Sequence, residues 1–153
     1  MSSGHGWRYR PVIIREMHVE DLARGFLETL QSLSTTGNLT PIEWTDVYNE
    51  LRNDPVYRIF VAEEDKKVIG TITLLLERKF IHAGGMVGHI EDVAVRKGWQ
   101  GQGVGRKLVE HALREAEQFG CYKVILDCGE DNVLFYEKLG FRKHEICMRR
   151  DMT

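Results

Sequence analysis

The sequence predicts an α/β (α+β) fold carried by a single domain. Short β-rich apolar runs alternate with stretches of helical periodicity along the chain. One strand-like run, Ile90 to Val95, leads through a glycine-rich loop into a helix-like run, Lys107 to Phe119. The 153 residues hold no internal repeat, linker or low-complexity segment, and that length suits one compact domain with a useful core.

In chain order, Val12-Ile13-Ile14 marks a first strand from Tyr9 to Glu16. Asp21 is read as the cap of the following helix, because Leu22, Phe26, Leu30 and Leu33 recur at helical spacing. Ser34-Thr35-Thr36-Gly37-Asn38 breaks that helix. Thr40 then serves as an N-cap, Pro41 suits the first turn, and Glu43 completes a capping box. Asn53-Asp54-Pro55 ends this second helix.

Tyr57 to Glu63 and Val68 to Arg78 read as strands joined by the charged turn Asp65-Lys66-Lys67. His82 to Gly85 is a connection, and Gly88 to Val95 returns as the strand before the glycine loop. Gly120 stops the helix Lys107 to Phe119, and Lys123 to Cys128 is another buried strand. Asn132 to Lys138 is a short helix ended by Gly140, and Phe141 to Arg149 is a final strand.

Composition narrows the function. Lys plus Arg is 21 and Asp plus Glu is 23, and this balance gives no support to general nucleic-acid binding. Cys121, Cys128 and Cys147 form no C-x-x-C pair and no zinc-finger spacing, so a reduced compartment and inert thiols are expected, with no metal. No apolar run approaches the ~20 residues of a membrane span, and neither a signal peptide nor a C-terminal retention or lipidation address is recognised. The cytosol is the default expectation.

The loop Gln100-Gly101-Gln102-Gly103-Val104-Gly105-Arg106 carries the chemistry. Glycines at alternate positions leave main-chain N–H groups uncovered, and the helix that begins here adds unsatisfied donors and its positive dipole end. Arg96, Lys97, Arg106 and Lys107 surround it with cations. Together these describe a pyrophosphate cradle. It is neither a nucleoside-triphosphate loop, since no G-x-x-x-x-G-K-[ST] occurs, nor a dinucleotide G-x-G-x-x-G fingerprint, since position 106 is Arg.

The loop resembles the Q/R-x-x-G-x-G/A motif of the GNAT superfamily of acetyl-CoA-dependent N-acetyltransferases, with Gln100, Gly103 and Gly105 in its defining positions. The segment from Asn132 to Phe141 resembles the usual N-x-x-x-F-Y-x-x-x-G-F ending of that superfamily. This resemblance implies one domain over residues 1–153, with a mixed, mostly antiparallel central sheet flanked by helices. It implies that Gly101, Gln102, Gly103, Val104, Gly105 and Arg106 hold the coenzyme A pyrophosphate. Val93, Ala94 and Val95 would offer backbone groups to the pantetheine arm, with Asp127, Asn132 and Tyr136 completing the acetyl-CoA site. Tyr136 would donate to the departing thiolate as a general acid; plain packing is its other reading.

Longer stretches resemble one family, the glucosamine-6-phosphate N-acetyltransferases. These are Leu33 to Gly37, Glu77-Arg78-Lys79-Phe80-Ile81-His82, Gly88 to Val95, Gly120 to Cys128 and Met148-Arg149-Arg150. The resemblance runs from about Ile14 onward and leaves a short variable head at about residues 1–8. It implies acetyl transfer to the 2-amino group of D-glucosamine 6-phosphate, a step toward UDP-N-acetylglucosamine. Lys79, Phe80, Ile81 and His82 would form the sugar-phosphate turn, with Ser34, Tyr122, Lys123 and Arg150 as further substrate contacts; Arg149 is the rival of Arg150.

Glu91 and Asp92 would be acidic substrate contacts, although adjacent strand residues face opposite ways and one of them can instead pair with a base. Tyr136, Asp127 and Glu91 are the catalytic set that the resemblance implies, the Asp127 carbonyl orienting the amine. Direct attack needs no acyl-enzyme, and a nucleophilic Cys128 is the minor alternative. The family also implies a homodimer that exchanges its final strand. Two readings compete: an acetyl-CoA-sensing module without catalysis, and transfer to a cationic acceptor such as a lysine or polyamine. Lys79, His82, Lys123 and Arg150 suit an anion instead.

Overall fold

The structure, a computed structural model, describes residues 11–153. One five-stranded sheet forms the middle of the molecule, with strands in the order β1 (Ile13–Glu16), β2 (Tyr57–Glu64), β3 (Lys67–Arg78), β4 (Met86–Val95) and β5 (Cys121–Leu126). The first four strands pair antiparallel in sequence order, while β4 and β5 run parallel. A parallel pair needs a crossover, and α4 (Val104–Gln118) supplies it. The mixed, mostly antiparallel sheet expected from the sequence is therefore observed.

Helix α4 covers one sheet face, burying Leu108, Val109, Ala112 and Ala116 against Phe60, Ile72, Leu74 and Ile90. On the other face, α1 (Phe26–Leu30) packs against β3 and β4 and α2 (Pro41–Asn53) against β2, over a smaller cluster of Met17, Phe26, Val61 and Val68. Beside Leu75, Glu77, His89 and Glu91, on the later part of β3 and the earlier part of β4, an open cleft lies among the described residues.

Local signals place several boundaries where the sequence puts them. The Thr40 side chain accepts the Glu43 N–H, the Glu43 carboxylate accepts the Thr40 N–H at 2.7 Å, and Pro41 opens α2. α4 starts at Val104, three residues before the expected Lys107, because Gly103 already adopts the N-cap position. β5 begins at Cys121, two residues early, and α5 (Val133–Glu137) follows a 3-10 turn at Glu130–Asn132.

Two expectations are corrected. Asp21 is not the N-cap of a long helix. It sits inside a 3-10 turn, Val19–Ala23, and Gly25 at φ 100° separates that turn from the five-residue α1. The Asp21 carboxylate is fully buried, takes the Arg15 guanidinium through both oxygens at 2.7 and 2.8 Å, and accepts the His18 N–H. The final strand expected at Phe141 to Arg149 is also absent, since residues 141–153 form no regular element. Ile146 and Met148 stand 86% and 87% exposed, and a strand needs a neighbouring ladder to exist. Tyr9 and Arg10, the start of the expected first strand, lie outside the described residues, as does the short head.

Candidate active site

The site opens where two parallel strands part. The pairing of β4 with β5 ends at Ile90↔Leu126, yet β4 continues to Val95 alongside β3. Past Ile90, the side of β4 that faced β5 keeps its main-chain groups without a ladder, as an extended ligand arm requires. A bulge helps part the strands: the β3–β4 register shifts between Thr71↔Ala94 and Thr73↔Glu91, and Asp92 adopts φ 49°. Regular alternation fails there, so Glu91 and Asp92 are both exposed rather than one facing inward. Neither makes an ion pair with a base among the described residues.

At the foot of the gap lies the glycine loop. Gly101 and Gly103 have φ of 76° and 82°, and a Cβ built on either would meet nothing within 4 Å. Open space above a left-handed backbone is the form a main-chain anion cradle takes. Gly103 is the N-cap of α4 and offers no capping side chain; the first main-chain bond of the helix is Lys107 N–H to Gly103 O. The N–H groups of Val104, Gly105 and Arg106 therefore remain available at the positive end of a 15-residue helix. Gln100 ties the loop to the strand end by donating its side-chain amide to the Val95 carbonyl at 3.1 Å.

α5 carries Tyr136, half-buried and close to Cys128. Its ring packs edge-on against Phe135 and Phe141 at 4.9 and 5.7 Å. Burial, and secondarily the neighbouring Cys128, push its phenol above the ordinary tyrosine range. The hydroxyl thus stays protonated at neutral pH and is a proton donor. Phe135 also approaches the cradle, with its ring 3.5 Å from where a Gly105 Cβ would stand.

Acidic side chains gather near the ends of β4 and β5, and basic ones gather around the turn Ile81–Gly84. Glu91 has its carboxyl raised above the usual range, first by burial and then by Asp92 and Asp127. The Asp127 carboxylate follows β5 and takes the Cys147 thiol, which it pushes up in pKa. On the basic side, the one-turn element α3 (Ile81–Gly84) carries His82 and Ala83 in left-handed conformation. His82 stacks on Tyr122 at 4.3 Å, and Lys123 Nζ stands 5.8 Å above the same ring. This approach requires Gly85, since a Cβ there would lie 2.7 Å from the Tyr122 ring. Lys79 ion-pairs with Glu77 and also feels Tyr122. Lys79, His82, Tyr122 and Lys123 therefore form one corner.

Other residues expected at the site are less connected in a single chain. No hydrogen bond, ion pair or ring contact ties the side chains of Ser34, Phe80, Ile81, Asn132 or Arg150 to these groups among the described residues. Phe80 is fully exposed. Arg149 is engaged locally with Asp151 at 2.6 Å, which leaves Arg150 the less committed of the two arginines. Sequence reasoning missed Glu77 and His89, whose carboxylate and ring nitrogen meet at 2.6 Å beside Lys79. Strand alternation was the usable signal: His89 stands two residues before Glu91, and Glu77 two before Lys79.

The parallel pair thus parts beside a glycine-rich helix N-terminus, with the half-buried Tyr136 packed on Phe135 and Phe141. The model of the Acetyltransferase (GNAT) family matches residues 20–141, and the chain belongs to that family. Within it, the chain is 37% identical over 140 residues to glucosamine 6-phosphate N-acetyltransferase of Arabidopsis thaliana, covering 90% of this chain and 94% of that one. The enzyme of the same name from Candida albicans is 40% identical over 130 residues, covering 84% and 87%. A crystal structure of the Arabidopsis thaliana enzyme superposes with a TM-score of 0.90 at 36% identity, over 94% of this chain and 99% of that chain.

Proposed function

We propose that this protein is a glucosamine 6-phosphate N-acetyltransferase, transferring the acetyl group of acetyl-CoA to the 2-amino group of the sugar. The observation that carries this reading is the polarity of the acceptor side. Acidic groups (Glu91, Asp92, Asp127) stand beside the strand gap, and a basic corner (Lys79, His82, Lys123) stands at the far end. An acceptor with a cationic amine at one end and an anionic phosphate at the other matches that order. Two relatives more than a third identical over most of both chains carry that activity in their names.

The residues present fit acetyl-CoA. Open glycine main chain and free helix donors at residues 101–106 suit its pyrophosphate, and unladdered main chain at Val93, Ala94 and Val95 suits its pantetheine arm. Asn132 would line the same arm. Bound there, acetyl-CoA supplies an activated thioester. The protein's part is to hold and orient both substrates, which converts a bimolecular encounter into a local one. Glu91 draws the ammonium of the sugar and accepts a proton from it, and its raised carboxyl brings its affinity for a proton closer to neutral. The Asp127 carbonyl fixes the direction of attack. Main-chain N–H groups stabilise the oxyanion, Tyr136 donates its proton to the thiolate as it leaves, and the second proton that the nitrogen sheds on forming the amide returns through solvent to the phenolate.

Ser34, Phe80, Ile81, Tyr122 and Arg150 complete the sugar-phosphate site in this reading. Some of them come together only in a homodimer that exchanges its C-terminal segment. Three features support that assembly: the outer edge of β5 is unpaired among the described residues, Ile146 and Met148 alternate with polar residues and are exposed, and Phe80 is bare. We place the reaction in the cytosol, where its product feeds UDP-N-acetylglucosamine synthesis. Thiol release from acetyl-CoA, measured separately with glucosamine 6-phosphate, a lysine peptide and a polyamine, tests the reading. Release with the phosphosugar alone is expected; release only with a cationic acceptor, or with none, would reject it.

A further inference from the structure

We propose that Glu77 is a positioning residue of the acceptor site, anchoring Lys79 of the phosphate turn and His89 of the cleft floor with one carboxylate. The inference rests on the reading of Lys79 as a phosphate ligand. Register puts Glu77, Leu75 and Thr73 of β3 on the same face as Val87, His89 and Glu91 of β4. That face floors an open cleft of roughly 290 Å³, lined by Val56, Leu75, Leu76, Glu77, His89 and Glu91 among others. One Glu77 oxygen lies 2.6 Å from His89 Nε2, and the other pairs with Lys79 Nζ. The carboxylate thus joins the rigid floor of the cleft to the turn at its rim.

A lysine ammonium rides on a flexible four-carbon stem with many rotamers, so an unheld Lys79 is a poorly placed charge. Glu77 removes that freedom before a phosphate arrives. Its own backbone is in β3, and the turn has supports that do not involve Glu77. Lys79 N–H donates to Gly85 O at 2.8 Å, and Arg78 Nη1 donates to Gly84 O at 2.6 Å. The three side chains are about a third exposed, at 40% for Glu77, 34% for Lys79 and 27% for His89, so their pairing adds little to stability. The contact still shows in the Glu77 carboxyl, which Lys79, and then His89, hold below its usual range. The arrangement therefore acts on geometry more than on folding.

The test is a cycle of variants read by Michaelis constants. Glu77→Gln should raise KM for glucosamine 6-phosphate by about fivefold, the upper end for an exposed ion pair, and more than it changes kcat. KM for acetyl-CoA and the melting temperature should hold, Glu77→Asp should recover part of the loss, and the His89 imidazole ¹⁵N resonances should move in Glu77→Gln. Because Glu77 acts through Lys79, adding Glu77→Gln to Lys79→Ala should cost little more KM than Lys79→Ala alone. An unchanged KM in Glu77→Gln, or an equal further loss in the double variant, would overturn the inference. A lowered KM would also overturn it, by showing that Glu77 competes with phosphate for Lys79. If Lys79→Ala itself keeps the parental KM, the phosphate reading falls first and this inference with it, an outcome distinct from the others.

Discussion

Replacing Gly103 by alanine separates what the cradle does for the ligand from what it does for the fold. Gly103 has φ 82°, and a Cβ there meets no protein atom within 4 Å. The protein's own cost is therefore backbone strain alone, about 1–2 kcal/mol for a non-glycine residue in the left-handed region. For a chain of this size that lowers the melting temperature by roughly 2–8 °C. Gly120, just past the opposite end of α4, is a matched control: its φ is 73° and its Cβ also meets nothing within 4 Å.

Gly120→Ala should show the same thermal loss. Only Gly103→Ala puts a methyl group where phosphate oxygens must approach the main chain. Losing one charge-assisted hydrogen bond costs about 1.5–3 kcal/mol, or roughly ten- to hundredfold in acetyl-CoA affinity. Scanning calorimetry gives the stability of both variants, and titration calorimetry gives their affinity. If folded Gly103→Ala binds acetyl-CoA as tightly as Gly120→Ala, the loop is a tight connection and not a cradle.

Tyr136→Phe keeps the ring that packs on Phe135 and Phe141, so turnover should fall at least about tenfold with both Michaelis constants little changed; parental turnover would leave Tyr136 a packing residue. Lys79→Ala and Arg150→Ala should each raise KM for glucosamine 6-phosphate roughly tenfold and KM for acetyl-CoA far less, whereas the same loss from Arg149→Ala alone would move the assignment by one residue. Asp21→Asn should destabilise the fold by about 3–5 kcal/mol in urea unfolding, because it breaks a buried ion pair with Arg15. Burial pushes the Asp21 carboxyl up, but the Arg15 and His18 bonds outweigh it and hold it below the ordinary value. Its stability is therefore complete above about pH 4 and is lost as pH falls through that lowered value, so this part of the acid slope should be missing in Asp21→Asn.

Legibility in the sequence followed the range of the interactions. The capping box of α2 is local and its residues announce it, whereas the N-cap of α4 at Gly103 has no capping side chain to mark it, so the helix start is read late at Lys107. Asp21 was misread because its true partner, Arg15, stands across a turn on β1, and N-cap spacing alone cannot distinguish the two roles. The bulge at Asp92 depends on pairing with β3, so simple alternation assigned Glu91 and Asp92 to opposite faces. The final segment, with its alternating Ile146 and Met148, reads as a strand, yet among the described residues no strand pairs with it. Near the candidate site, the left-handed glycines ahead of α4 lie where the sequence has its glycine-rich loop, and the one-turn element α3 lies where it has a connection. The Glu77–His89 contact joins residues 12 apart on neighbouring strands and is visible only with the register in place.

The central claim is that this site selects an amine carried by a phosphorylated sugar. Its most direct test is one competition: limiting [¹³C]acetyl-CoA with equimolar glucosamine 6-phosphate, glucosamine and a polyamine, and NMR of the acetylated products. The account predicts that the label appears almost wholly as the 2-acetamido group of the phosphosugar. Label shared equally with unphosphorylated glucosamine, or found mainly on the polyamine, would contradict it.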